Sequence, residues 1–212
     1  MKSPAVILVF LVSMIGTSWA QIPDPFLSYA TCESSTPISI INVPNGSGDM
    51  IQMARAYGGG MVNATITLTL IDAGSNPVSG YPPEDIWLDI LNPSPGTWIP
   101  CPAGTIADGP TNELGQTTFS NSLRAGGPGS GARIMIGTWP TPEFPIEFPG
   151  GDLFHFNSPD INGDLAVNLT DIAIFAGDFF GVYNYRSDYF WDGILNLSDI
   201  ALIAQGYGAH CP

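Results

Sequence analysis

The chain has 212 residues and sets 19 acids against five Lys and Arg, a formal charge of −14 at pH 7. Nucleic acid and anionic membrane surfaces require clustered Lys or Arg, so the balance argues against both as partners. With 25 Gly and 20 Pro, the chain is dense in turn formers, which points to many short strands rather than long helices.

Residues 1–20 read as a secretory signal peptide. Lys2 supplies the positive end, Ala5 to Ile15 form an apolar run, and Ser18 and Ala20 are the small residues before a cut ahead of Gln21. The run is too short to span a bilayer, and no later apolar stretch is long enough either. The expected product is a soluble, exported protein, extracellular or at the cell surface. No Cys follows the cut, so a lipid anchor is not expected. Cleavage removes the only lysine and leaves Arg55, Arg124, Arg133 and Arg186 against the 19 acids, a charge of −15.

Residues 21–142 show strand periodicity. Ala64 to Leu70 alternate apolar residues with Thr, and Ile86-Trp-Leu88-Asp-Ile90 alternate in the same way, so each strand has one buried and one wet face. Shorter candidates are Ile38–Val43, Gln116–Ser120 and Arg133–Gly137. Turn signals punctuate them at Asn45-Gly46, Gly74 to Pro77, Pro82-Pro83, Asn92 to Pro95 and Gly126 to Gly129. This pattern predicts a β-sandwich or barrel large enough to bury its own core. Residues 143–157 hold Pro145, Pro149 and Gly150-Gly151, and read as an extended linker. Alternatively, Phe144 to Phe148 form a last edge strand, or pair with a neighbouring molecule.

Residues 158–212 contain one motif twice. Asp160-Ile-Asn162-Gly-Asp164-Leu-Ala166-Val-Asn168-Leu-Thr-Asp171 is followed 28 residues later by Asp188-Tyr-Phe190-Trp-Asp192-Gly-Ile194-Leu-Asn196-Leu-Ser-Asp199. Each copy runs into a short helical pattern. Ca²⁺ takes six to eight hard oxygen ligands, and a 12-residue loop offers them at positions 1, 3, 5, 7, 9 and 12. The first copy offers Asp160, Asn162, Asp164, Asn168 and Asp171, with the Ala166 carbonyl. Its fault is Leu165 at position six, where the chain turns with φ > 0. The second offers Asp188, Asp192, Asn196 and Asp199, with the Ile194 carbonyl. Its fault is Phe190 at position three, which has no oxygen. Two Ca²⁺ sites are expected, the second weaker. Asn168 and Asn196 also match glycosylation sequons, but their place at position nine favours ligation.

Two resemblances follow from these residues. Leu70-Ile-Asp72-Ala-Gly74-Ser-Asn-Pro77-Val78, and later Thr111-Asn112-Glu-Leu-Gly115-Gln-Thr-Thr118-Phe119, resemble the turns of bacterial Ig-like modules of the invasin type, with Asn112 in place of the usual Asp. Such modules are spacers or adhesive scaffolds. The duplicated segment, with no helix entering either loop, resembles dockerin modules, which are small all-α calcium-binding modules that dock onto cohesin modules, often in polysaccharide-degrading assemblies. The resemblance implies that positions ten and eleven, Leu169-Thr170 and Leu197-Ser198, meet the partner. The expected fold is therefore mainly β, an Ig-like sandwich followed by a small all-α dockerin-like module.

Three cysteines allow three single pairings. Cys32–Cys101 is favoured because both lie in the β-rich part, leaving Cys211 free or intermolecular. There is no H-E-x-x-H, G-x-S-x-G, P-loop or C-x-x-C. Glu84, Asp85, Asp89, Glu143 and Glu147 offer no defined catalytic pair, and Trp87, Trp98 and Trp139 read as packing residues before a sugar platform. The expectation is a non-catalytic docking protein with a cohesin-like or identical partner. A self-assembling filament or adhesin subunit, joined through Phe144 to Phe148, is the alternative. A carbohydrate-binding module or enzyme accessory is a second.

Overall fold

The computed structural model describes residues 21–93, 98–138 and 141–212. The expected signal peptide and Trp139 lie outside the described residues. In chain order the strands are β1 (Tyr29–Cys32), β2 (Ile38–Ile41), β3 (Ala54–Ala56), β4 (Met61–Val62), β5 (Ile66–Thr69), β6 (Ile86–Pro93), β7 (Ile99–Pro100), β8 (Gln116–Phe119), β9 (Ala125–Gly126), β10 (Gly129–Thr138), β11 (Thr141–Ile146) and β12 (Phe154–Asn157). Helices α1 (Leu169–Phe179) and α2 (Leu197–Gly206) follow. The chain is mainly β with two helices near its C-terminus. No helix among the described residues is long and apolar enough to cross a membrane.

Two sheets close over one core. Strands β1, β5 and β8 form an antiparallel sheet with β5 in the middle. The larger sheet runs β11-β10-β12-β2-β3-β4, with β6 antiparallel along β10. The alternation seen in the sequence fixes what faces inward. Ile66, Leu68 and Leu70 from one sheet meet Ile86, Leu88, Ile90, Ile134 and Ile136 from the other, all buried. Trp87 and Asp89, out of phase, remain half-exposed on the opposite face. Thr69 departs from the alternation and is also buried, whereas Thr67 on the same face is half-exposed.

The two motif turns lock together. Asp72 Oδ1 accepts the Gly74 and Asn76 amides, and Asn112 Oδ1 accepts those of Leu114 and Gln116. Asn112 thus closes its turn as Asp72 closes its own. The Leu70 amide donates to the Gly115 carbonyl, and a Cβ on Gly115 would lie 2.4 Å from the Leu70 carbonyl oxygen. That contact and φ of +72° explain the glycine.

The proline-rich stretch 143–157 departs from a linker. Strand β11 is an edge strand on β10, with Ile146 opposite Ile134, and Phe148 is buried in the core. The following β12 lies inside the sheet, parallel to β2, with Phe154 opposite Ile38 and Phe156 opposite Ile40. The prolines sit in the edge strand and the turn after it, where missing N–H donors cost no ladder bond, while Phe154, His155, Phe156 and Asn157 contain none.

The C-terminal repeat is continuous with this body. Its own core, Ile161, Val167, Phe175, Tyr189, Ile203 and Ala209, includes Ile41 and Val43 from the end of β2. The Asn42 side-chain amide donates to the Ala125 carbonyl, and that of Asn157 to the carbonyls of Tyr185 and Asp188. The expected Cys32–Cys101 pairing is corrected: Cys101 bonds Cys211, with Cα atoms 5.7 Å apart, and Cys32 is free. The reason lies in the C-terminal tail. Gly208 donates to the Val167 carbonyl and Val167 to that of Ala209, and this pair of bonds holds the last residues against the first loop, which lies beside β9, the strand that pairs with β7 just before Cys101. The Cys32 thiol instead sits against the Ala64 carbonyl, and burial raises its pKa.

Peptide mapping without reduction should therefore find Cys101 linked to Cys211 and Cys32 alkylatable. The bond closes a loop with a sequence separation of 110. Cys211→Ser should cost about 2–4 kcal/mol of stability in chemical denaturation.

Candidate metal centre

Both loops fold by one set of hydrogen bonds. At position one, Asp160 accepts the amides of Asp164 and Leu165 at 3.1 and 2.8 Å, and Asp188 accepts those of Asp192 and Gly193 at 3.2 and 2.8 Å. At position twelve, Asp171 accepts from Asn162 and Asn168, and Asp199 from Phe190 and Asn196. The second of each pair of bonds is half of a capping box. Asn168 and Asn196 are the N-caps of α1 and α2, and their side-chain oxygens accept the amides of Thr170 and Ser198. These two asparagines, expected as ligands, are thus engaged as caps.

In the first loop the carboxylates of Asp160, Asp164 and Asp171 each offer an oxygen within 4.8 Å of the others. Asp160 and Asp171 are fully buried, and Asp164 is exposed. The ion pairs among the described residues, Arg55–Asp49, Arg133–Asp89 and Arg186–Asp178, include none of the three. Burial, with the Asp171 and Asp164 charges adding to it, pushes the Asp160 pKa up to about 6. A buried carboxylate group without a countercharge is costly. The remaining donors expected of this loop, Asn162 and the Ala166 carbonyl, lie in the same turn. This oxygen-only set is the chemistry a hard divalent cation requires.

The faults of the two loops are distributed differently from the sequence expectation. Positions four and six both take positive φ in each copy. Gly163 and Leu165 have φ of +70° and +67°, and Trp191 and Gly193 have +60° and +83°. Each loop therefore holds one glycine and one bulky residue in the left-handed region, in swapped order. A non-glycine residue there costs roughly 1–2 kcal/mol. Strain is common to both loops, and the missing oxygen belongs to the second alone.

Gly126 belongs to this centre and was not singled out by its chemistry in the sequence, where it marks only a turn. A Cβ at position 126 would stand 1.9 Å from Asp160 Oδ2. The adjacent Gly127 amide donates to the Asp160 carbonyl. Strand β9 thus forms one wall of the first loop. Elsewhere, Asp89 is held by Arg133, and Trp98 packs on Phe156 with ring centroids 5.2 Å apart, so neither joins the loops. The expected partner-facing residues are at the surface. Leu169 and Leu197 are 71% and 78% exposed at the first turns of α1 and α2, beside Thr170 and Ser198.

Comparison with family models, with curated proteins and with solved structures finds no match.

Gly126→Ala should displace the Asp160 carboxylate and weaken cation binding in calorimetric titration by at least tenfold, the equivalent of about 1.4 kcal/mol. Gly109→Ala, whose Cβ meets nothing within 4 Å, should bind as the parent does.

Proposed function

We propose that this is an exported, non-catalytic protein whose C-terminal repeat is folded around Ca²⁺ and docks a protein partner in an extracellular assembly. The observation that carries this is the first loop: three converging carboxylates, two of them buried, with no cationic side chain among them. Asp160, Asn162, Asp164, Asp171 and the Ala166 carbonyl would hold the ion, which supplies the countercharge that these residues lack. With the ion bound, the loop fixes the start of α1 through Asp171, which also closes the capping box.

The docking half of the proposal rests on the resemblance to dockerin modules, and a cohesin-like partner is the one it implies. The paired display of Leu169 and Leu197 supports it. Two large apolar side chains stand in solvent at equivalent places of a duplicated unit, each next to a hydroxyl residue. The β-rich body would serve as an Ig-like spacer or scaffold. The disulfide supports export, since such bonds persist in oxidising compartments.

Phe144 to Phe148, the segment that a filament would need, is engaged within the chain's own sheet and core through Ile146 and Phe148. This favours the docking reading over self-assembly.

Calcium titrated into chelator-treated full-length protein should raise its melting temperature, by the equivalent of about 2.7 kcal/mol when free ion is 100 times Kd. Asp160→Ala should lose this gain, and Asp188→Ala should lose less of it. In a calcium-dependent capture assay with cohesin modules, Leu169→Asp with Leu197→Asp should abolish capture while leaving the calcium-induced stabilisation in place. An unchanged melting curve in calcium and in EDTA would remove the physical basis of the proposal.

A further inference from the structure

The second loop does not fit a cation as the first does, and the residues that spoil the fit have another use. Phe190, at ligand position three, lies against the turn between β3 and β4. A Cβ on Gly59 would lie 2.3 Å from its ring, and the Arg55 guanidinium stands 6.0 Å from the ring centroid. Trp191, at position four, is 93% buried on the His155 ring at 4.7 Å, and its carbonyl accepts the Gly58 amide at 2.9 Å. Gly193, at position six, lies under Tyr57, whose hydroxyl oxygen would be 2.6 Å from a Cβ there. At position one, the Asp188 carbonyl is taken by the Asn157 side-chain amide at 2.7 Å.

The first loop has no counterpart to two of these features. Its positions three and four are Asn162 and Gly163, which extend no ring toward the body. Its Asp160 carboxylate accepts only backbone amides, whereas Asp188 Oδ2 also accepts the Tyr183 hydroxyl at 2.8 Å. That hydroxyl supplies a polar hydrogen to the carboxylate that a cation would otherwise neutralise. The surface receiving the loop is built for it. Arg55, Ser39 and His155 are cross-strand neighbours on β3, β2 and β12 and so share one face of the sheet. Burial lowers the His155 pKa, and the ring packs against Trp191.

We propose that the second loop is a metal-independent latch that fastens the C-terminal repeat to the β-sheet, and that each chain binds a single Ca²⁺, in the first loop. The stoichiometry rests on the calcium reading given above; the latch does not. Arg186 strengthens the arrangement from the other side. Its guanidinium pairs with Asp178 at 2.7 Å, and Ser187 donates to the same carboxylate, so the end of α1 is tied to the segment entering the latch.

Calorimetric titration of the full-length protein with Ca²⁺ should give one site per chain, and none in Asp160→Ala. Tyr183→Phe combined with Phe190→Asn, which removes the hydroxyl and restores an oxygen, should give two. The latch is read separately, in EDTA: Phe190→Ala should lower the melting temperature by several degrees, and by the same amount when calcium is present. Two sites in the unaltered chain, or one retained in Asp160→Ala, would overturn the single-site assignment. No binding at all would overturn the calcium reading of the first loop. A Phe190→Ala variant as stable as the parent in EDTA would overturn the latch, whether or not the restored variant folds.

Discussion

Like charges brought together out of water set the terms for the C-terminal repeat of this protein. Asp160, Asp164 and Asp171 are held within 4.8 Å of one another, and two of them have lost all contact with solvent. Backbone amides satisfy part of their hydrogen-bonding capacity but carry no net charge. Only protonation or a bound cation removes the repulsion. The geometry of α1 is subordinate to this, because the carboxylate that closes its capping box is the one that closes the loop.

Duplication gave two such loops, and the body against which they fold made them different. The first lies along Gly126 of β9 and the adjacent Gly127 and keeps every oxygen of the motif. The second meets the turn between β3 and β4, where Phe190 and Trp191 make apolar and aromatic contacts. Phe190 and Trp191 together bury large ring surfaces, at roughly 25 cal/mol per Å² of apolar area. That gain offsets the left-handed backbone at Trp191. Both loops retain the same internal hydrogen bonds, so the fold of the unit survives the exchange of ligands for contacts.

The β body and the repeat hold each other in place by several independent means. These are the shared core around Ile41 and Val43, the buried amide of Asn157, the latch and the Cys101–Cys211 bond. Held in this way, Leu169 and Leu197 keep a fixed orientation to the sheets.

The sequence by itself determined the local patterns. Ile66 and Leu68, and Ile86, Leu88 and Ile90, face inward because strand geometry has period two. The Asx turns at Asp72 and Asn112 follow from side chains that reach their own backbone. The duplicated loops are legible because their aspartates, glycines and caps act within twelve residues. What tertiary structure decided were the long-range choices, for which no local signal exists. Cys101 found Cys211 rather than Cys32 because hydrogen bonds to Val167 hold the tail against the first loop, beside the strand that pairs with β7. Residues 154–157 entered a parallel pairing with β2, although the prolines before them read as a linker. Gly126 became a wall of the first loop because Asp160 packs onto its bare backbone. Phe190 is a defect when its loop is considered alone and a contact once the β3–β4 turn is beside it, because a side chain's role depends on which surface the rest of the chain brings to it.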